Sequence, residues 1–166
     1  MKQAIVIFPK KNKKVETIRK KYDPSSKKLI SHITLTFPFE NVNQKKLQEH
    51  IKKSLEGIKP FEVELRGIRC SPKGYYMHLL VKKGKKEILK IHKRLYSDLI
   101  TKWIRKDIPY IPHITLGVFK TKKEINKAIK ELKNKKLEIK TKIDKIYLIN
   151  LNKNSTLKSY NIFKLK

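Results

Sequence analysis

A tetrapeptide that could carry chemistry occurs twice in this chain. His32-Ile33-Thr34-Leu35 and His113-Ile114-Thr115-Leu116 are identical, and they are separated by about half of the 166 residues. An isoleucine also stands two positions before each histidine, at Ile30 and at Ile111. Composition alone rarely produces a second copy of such a motif, so we interpret the pair as an internal duplication.

The residues around each copy are rich in β-branched and aromatic types, which predicts one β-strand over residues 29–39 and another over residues 108–119. Successive side chains of a strand point to opposite faces, so each histidine shares a face with the threonine two positions later. The isoleucine and leucine of each motif then point into a core. If a pseudo-twofold axis relates the two halves of the chain, the two His/Thr pairs face each other across a cleft.

Two imidazoles and two hydroxyls in one cleft suit displacement at a phosphodiester. That reaction needs a base for the attacking hydroxyl, an acid for the leaving oxygen, and donors to the non-bridging oxygens. His32 and His113 can exchange protons near neutral pH, and Thr34 and Thr115 can donate hydrogen bonds. The alternative is that all four are ordinary strand residues, and the matched duplication counts against it.

Both motifs fit, without a substitution, the His-x-Thr/Ser-x pattern of a known family. The chain resembles the two-histidine phosphoesterases, which include the 2′-5′ RNA ligase-like proteins and the cyclic nucleotide phosphodiesterases that act on RNA ends. Residues 18–24, Ile-Arg-Lys-Lys-Tyr-Asp-Pro, and residues 32–39 are similar to bacterial members of that family. One departure is Ser31, because many relatives have a proline before the first histidine, as Pro112 precedes the second here.

The resemblance implies that the two histidines act as acid and base and that the two threonines hold the phosphate, without assigning the role of either histidine. It implies a metal-independent phosphodiesterase that uses no cofactor. The substrate would be a 2′,3′-cyclic phosphate or a 2′-5′ linkage at an RNA end, and ligation would be the reverse reaction. Within the enzyme class, the alternative substrate is a small cyclic nucleotide or sugar cyclic phosphate. Outside it, the alternative is a non-catalytic basic RNA-binding protein.

The order of the predicted elements supports the duplication. Each half reads as strand, helix, His strand, helix and strand. Asn43 is placed to cap a helix over residues 44–56, and Thr121 with Glu124 predicts a capping box for a helix that ends near Asn134. A longer helix is predicted over residues 86–104. We therefore predict an α+β fold of two duplicated lobes, in which two antiparallel sheets flank a central cleft and the helices pack outside.

No stretch of linker composition separates the two halves. We therefore expect residues 1–166 to form a single two-lobed phosphoesterase domain, with approximate lobes 1–70 and 71–166 whose strands can interleave. We expect the protein to be a monomer. Cys70 is the only cysteine and no segment has the length and apolarity of a membrane span, so we also expect a reducing, cytoplasmic setting without a membrane.

The formal net charge of +29 arises from 43 lysines and arginines, of which only five are arginines, against 14 acidic residues. The basic residues are spread along the whole chain, and coding bias in the source would produce the same lysine excess. Whatever its origin, the positive electrostatic field of the chain attracts polyanions and makes their binding depend on the salt concentration. The anionic partners that we expect for this basic chain are RNA ends or a small cyclic phosphodiester. The few acidic residues form no cluster that predicts a metal site.

Other residues of the sequence carry weaker signals. His92 falls on the apolar face of its helix, which favours a packing role, whereas His78 lies on a strand that could border the cleft. Several aromatic side chains could form a platform on which a base stacks, although such residues are more often core. These residues are Phe37, Tyr75, Tyr76, Tyr147 and Tyr160.

Overall fold

The structure is a computed structural model that describes residues 1–71 and 75–166. Within these ranges the chain forms four α-helices, which are α1 (Lys13–Tyr22), α2 (Gln44–Leu55), α3 (Lys85–Leu95) and α4 (Lys122–Leu132). Short 3₁₀ helices cover Pro24–Lys27 and Asp98–Trp103. The strands are β1 (Lys2–Ile7), β2 (Ile33–Thr34), β3 (Phe61–Cys70), β4 (Tyr76–Lys83), β5 (His113–Val118), β6 (Glu138–Ile143), β7 (Lys145–Leu151) and β8 (Leu157–Lys164). No helix in the described part of the chain is long and apolar enough to cross a bilayer.

The strands form two four-stranded antiparallel sheets. The order in the first sheet is β2-β1-β7-β8, and the order in the second is β5-β4-β3-β6. Each His-x-Thr strand is therefore an edge strand, β2 in the first sheet and β5 in the second. The first sheet takes its strands from both ends of the chain, and the second takes them from the middle. This arrangement confirms the predicted α+β fold of two antiparallel sheets.

Helix ends follow the capping residues that the sequence predicts. The Asn43 side chain accepts a hydrogen bond from the backbone N–H of Lys46 and caps α2. Thr121 and Glu124 form the reciprocal capping box of α4. Gly57, just beyond α2, has φ of +68°, a left-handed conformation that glycine adopts without steric cost.

Two predicted elements are shorter than their sequence patterns indicate. The first His strand is regular only over Ile33 and Thr34. Beyond them the Ile5 N–H donates to the Thr36 hydroxyl at 3.0 Å instead of to a backbone carbonyl, while the Ile5 carbonyl accepts from both Leu35 and Thr36, so the regular ladder ends there. The predicted helix over residues 86–104 ends at Leu95. Asp98 has φ of +55°, so a 3₁₀ helix follows instead of further α-helical turns.

The main core lies beneath both motifs. Ile33, Leu35, Ile114 and Leu116 have no exposed surface, which confirms the alternation predicted for the two strands. Helix α1 packs on β5, although it precedes β2 in the chain. A methyl group on Gly117 of β5 would lie 2.8 Å from both the Tyr22 Cβ and the Phe119 ring, so this contact requires glycine.

We predict that Gly117→Ala lowers the free energy of unfolding by about 1–3 kcal/mol, because the added methyl overpacks the contact between α1 and β5. Urea denaturation of the variant and the wild type measures the difference. Lys122→Ala, at an exposed position, is the control and should change stability by less than about 0.5 kcal/mol. An unchanged transition for Gly117→Ala would contradict the tight packing.

Candidate active site

The two motif histidines are held by the same backbone device. Nδ1 of His32 lies 2.8 Å from the Ile30 carbonyl oxygen, and Nδ1 of His113 lies 2.5 Å from the Ile111 carbonyl oxygen. A carbonyl only accepts, so each Nδ1 carries the proton and each neutral imidazole keeps the lone pair of Nε2 available. Neither Nε2 has a partner among the described residues. Each histidine can therefore accept a proton at Nε2 or, once charged, donate one there.

The structure brings the two motifs together. Strand β2 of the first sheet lies against β5 of the second, and the Tyr110 hydroxyl, three residues before His113, donates to the Thr34 carbonyl at 2.7 Å. The pKa of His32 is lowered mainly by burial, and the His113 charge adds to that effect. Both histidines are partly buried. The contact between β2 and β5 thus brings the two motifs to the same boundary between the sheets.

The motif threonines are partly buried, and their hydroxyls are free of hydrogen bonds to the part of the chain that the structure describes. Thr34 lies opposite Val6 in its sheet, and Thr115 lies opposite His78. By contrast, the buried Thr36 hydroxyl is bonded to the backbone. The threonines that share a face with the histidines are thus the ones whose hydroxyls can donate to a bound anion.

Burial lowers the pKa of both motif histidines below 6.5. In each case the hydrogen bond from Nδ1 to the backbone carbonyl opposes that effect. At His32 the Arg19 charge lowers the pKa further, and the Asp23 carboxylate raises it. Both imidazoles are therefore predominantly neutral at pH 7 in the free protein.

A buried ionic network on α1 supports the backbone next to His32. Arg19 donates from Nε and Nη2 to the Asp23 carboxylate at 3.1 and 2.7 Å, and both side chains are almost fully buried. Arg19 Nη1 lies 3.6 Å from a Glu16 oxygen, and the other Glu16 oxygen accepts the Ser31 N–H at 3.1 Å. Ser31, directly before His32, thus supplies an N–H that anchors it to α1, a bond that a proline could not make.

The outer edge of β2 and of the residues after it, up to Phe37, is bonded to side chains from the second half of the chain. His92 Nδ1 donates to the Leu35 carbonyl at 2.7 Å, Tyr96 accepts the Phe37 N–H at 2.7 Å, and Tyr110 donates to the Thr34 carbonyl. The rings of His92 and Tyr110 stack with centroids 3.6 Å apart and an interplanar angle of 1°. We call these three residues the edge clamp. His92 thus has the packing role that its position predicts.

His78 borders the cleft in the second sheet. Its ring stacks on that of His113, with centroids 3.6 Å apart and an interplanar angle of 22°. Burial lowers the pKa of His78 to about 3, with further contributions from the charges of His113 and Arg69. His78 therefore presents a neutral imidazole beside His113 at any pH at which the protein would operate.

The first sheet presents an apolar and aromatic surface beside His32. The Phe8 ring lies edge-on to His32 at 6.3 Å and to Tyr147 at 4.9 Å, and Tyr147 contacts Tyr160 at 5.6 Å. Val6 forms part of a small separate cluster beneath these rings. Of the aromatic candidates, Tyr147 and Tyr160 belong to this surface, whereas Phe37 packs against the main core and Tyr76 lies beside His78.

Sequence reasoning missed Phe8 and the ionic residues of the site. Phe8 directly follows β1 and has no distinguishing pattern in the sequence. Arg19 and Arg69 do carry a signal, because arginine is rare in a chain whose usual cation is lysine. Within the described ranges, no three His, Cys, Asp or Glu side chains are grouped as metal ligands.

We predict that Tyr110→Phe lowers the free energy of unfolding by about 1 kcal/mol, because the partly buried Thr34 carbonyl loses its donor while the ring can still stack on His92. Chemical denaturation measures the loss. Tyr75→Phe, at an exposed tyrosine, is the matched control and should have almost no effect. Equal stability of the two variants would show that the hydroxyl does not hold β2.

The chain is similar in sequence to proteins that bear phosphoesterase names. A protein of Bacillus cereus strain B4264 that bears a phosphoesterase name is 28% identical over 172 residues, which cover 99% of this chain and 97% of that protein. A similarly named protein of Bacillus pumilus strain SAFR-032 is 24% identical over 98% of this chain and 96% of its own.

Solved structures share the fold. TT0787 of Thermus thermophilus has a TM-score of 0.60 at 14% identity, covering 99% of this chain and 98% of that one. Escherichia coli LigT complexed with 3′-AMP has a TM-score of 0.56 at 13% identity, covering 99% and 95%. The family model of the 2′-5′ RNA ligase superfamily matches residues 8–155, so this chain belongs to that superfamily of two-histidine phosphoesterases.

Proposed function

We propose that this chain is a metal-independent phosphodiesterase that acts on a 2′,3′-cyclic phosphate or a 2′-5′ linkage at an RNA end. One observation carries the proposal. Two imidazoles are each fixed through Nδ1 with Nε2 free, they belong to motifs on contacting strands, and the two motif threonine hydroxyls have no partner among the described residues. Membership of the superfamily and the phosphoesterase names of the relatives support phosphoester hydrolysis.

In the proposed reaction with a cyclic phosphate, a water molecule attacks phosphorus. Nε2 of one histidine takes the proton of that water, and Nε2–H of the other gives a proton to the leaving ribose oxygen. One P–O bond forms and one breaks, so the product is a phosphomonoester beside a free hydroxyl. Thr34 and Thr115 donate to the non-bridging oxygens, where negative charge is held. Ligation of a hydroxyl end is the same sequence in reverse.

The surroundings of His32 support a nucleotide as substrate. The aromatic surface of Phe8, Tyr147 and Tyr160 offers rings on which a base can stack, a contact worth about 1–3 kcal/mol per base. LigT, which shares this fold, has been solved with 3′-AMP bound. The net charge of +29 favours an anionic substrate and steers RNA towards the protein.

We predict that His32→Ala and His113→Ala each lower kcat by about 10²–10⁴-fold on a nucleoside 2′,3′-cyclic phosphate. The double variant should lose less than the product of the two effects, because the two histidines act as one unit. Turnover is measured in the presence of a chelator, since the proposed chemistry needs no metal. His50→Ala, a change of a histidine on α2, is the control and should leave kcat unchanged.

Two results would contradict this proposal. Near-wild-type turnover by both single variants would remove the assigned roles. Salt-sensitive RNA binding by the wild type, with no hydrolysis of cyclic-phosphate ends, 2′-5′ linkages or small cyclic phosphates at any pH, would indicate the non-catalytic RNA-binding alternative.

The pKa directions predict where the pH optimum lies. The reaction needs one neutral and one protonated histidine, so kcat/KM should trace a bell between the two pKa values of the free enzyme. Burial lowers both below 6.5, so the bell should have its maximum below pH 6.5 and fall at higher pH as the acid loses its proton. A rate series across acidic to alkaline buffers measures it. A maximum on the alkaline side of pH 7 would contradict the lowered values.

A further inference from the structure

A row of three side chains crosses the second sheet beside the proposed catalytic centre. Thr115 on β5 pairs with His78 on β4, and His78 pairs with Arg69 on β3. Residues that pair directly across strands point to the same face of a sheet. Arg69 therefore lies on the face that carries Thr115 and His78, and two strand spacings of about 5 Å each separate its backbone from that of Thr115.

Arg69 differs from the other four arginines of the chain, each of which has an acceptor. Arg19 binds Asp23, Arg66 binds Glu64, Arg94 donates to the Ser54 and Glu56 carbonyls, and Arg105 binds Asp107. Arg69 is exposed and has neither a hydrogen bond nor an ion pair to any described residue. A shortage of carboxylates does not explain why Arg69 lacks an acceptor, because the other four arginines of the same chain each have one.

The neighbours of Arg69 leave its charge available to a ligand. His78 lies between Arg69 and the motif residues, and its imidazole is neutral, so the guanidinium is the fixed charge of this row. A guanidinium presents paired N–H donors that match a phosphate, and its long side chain can reach over the strand beside it. At one end of the row, the Thr115 hydroxyl can bind one phosphate. At the other end, the Arg69 guanidinium can bind a second.

We propose that Arg69 binds the phosphate that joins the terminal nucleotide of the substrate to the nucleotide before it. This inference rests on the proposed function, because it takes the reacting phosphate to lie at the two histidines. It makes an RNA end, with its second phosphate one nucleotide away, a better substrate than a cyclic mononucleotide. His78 forms the floor between the two phosphate positions and stacks on His113.

Three substrates separate the effect of the second phosphate charge, which lies between the two nucleotides, from that of the reacting phosphate. The first is adenosine 2′,3′-cyclic phosphate, and the second is the dinucleotide ApA with a 2′,3′-cyclic phosphate end. The third is the same dinucleotide with an uncharged methylphosphonate linkage. We expect the wild type to have a kcat/KM about 5- to 30-fold higher on the charged dinucleotide than on the uncharged one, as one charge-assisted contact at an exposed site allows.

Arg69→Gln should remove that difference and lower kcat/KM much more on the charged dinucleotide than on the mononucleotide, and Arg69→Lys should keep part of the difference. Arg66→Gln, on the same strand and paired with Glu64, is the matched control and should retain the full difference. Equal kcat/KM of the wild type on both dinucleotides, or an equal loss on all three substrates in Arg69→Gln, would overturn the subsite alone. No hydrolysis of any of the three by the wild type would overturn the proposed function as well.

Discussion

The site depends on how one short edge strand satisfies its backbone. Strand β2 has a neighbouring strand on one side only, yet it carries Thr34, directly follows His32 and contacts β5 of the other sheet. A buried backbone group without a partner costs about 1–3 kcal/mol, so the free edge of such a strand must be bonded in another way. Tyr110, His92 and Tyr96 supply those bonds. Because these residues precede β5 in the chain, the contacts that complete β2 also fix its position relative to the second motif.

The two copies of the motif are identical in sequence, but the residues that surround them in the structure differ. Both histidines bond to the carbonyl of the isoleucine two positions earlier, so one local device sets the tautomer twice. The surroundings differ, because His32 lies beside a buried arginine and an aromatic surface whereas His113 lies under the neutral ring of His78. An acid and a base must hold opposite protonation states, and identical environments could not separate them. In the proposed reaction, this asymmetry between the halves would allow two copies of one motif to take two roles.

Much of this structure is predictable from local sequence, and the rest depends on contacts between distant residues. Period-two patterning gives the buried face of both motif strands, and short-range hydrogen bonds give the caps at Asn43 and Thr121, because each of these effects acts within a few residues. The length of β2 is not predictable in this way, since it is ended by a hydroxyl that bonds across the sheet and completed by side chains nearly 60 or more positions away. The same holds for the free guanidinium of Arg69. Its type is visible in the sequence, and its lack of an acceptor emerges only when the fold has placed every carboxylate.

Burial of the motif histidines links the proposed chemistry to substrate binding. It disfavours an imidazolium at both positions, and the Arg19 charge adds to this effect at His32. A bound phosphate reverses this, because a negative charge beside an imidazole favours its protonated form. Anion binding would then load the proton that the leaving oxygen requires, and it would do so at the histidine nearer the phosphate charge. An electrically neutral ligand of the same shape would not charge the acid, so under the proposed mechanism the affinity for the substrate and the readiness for proton transfer come from the same electrostatic interaction.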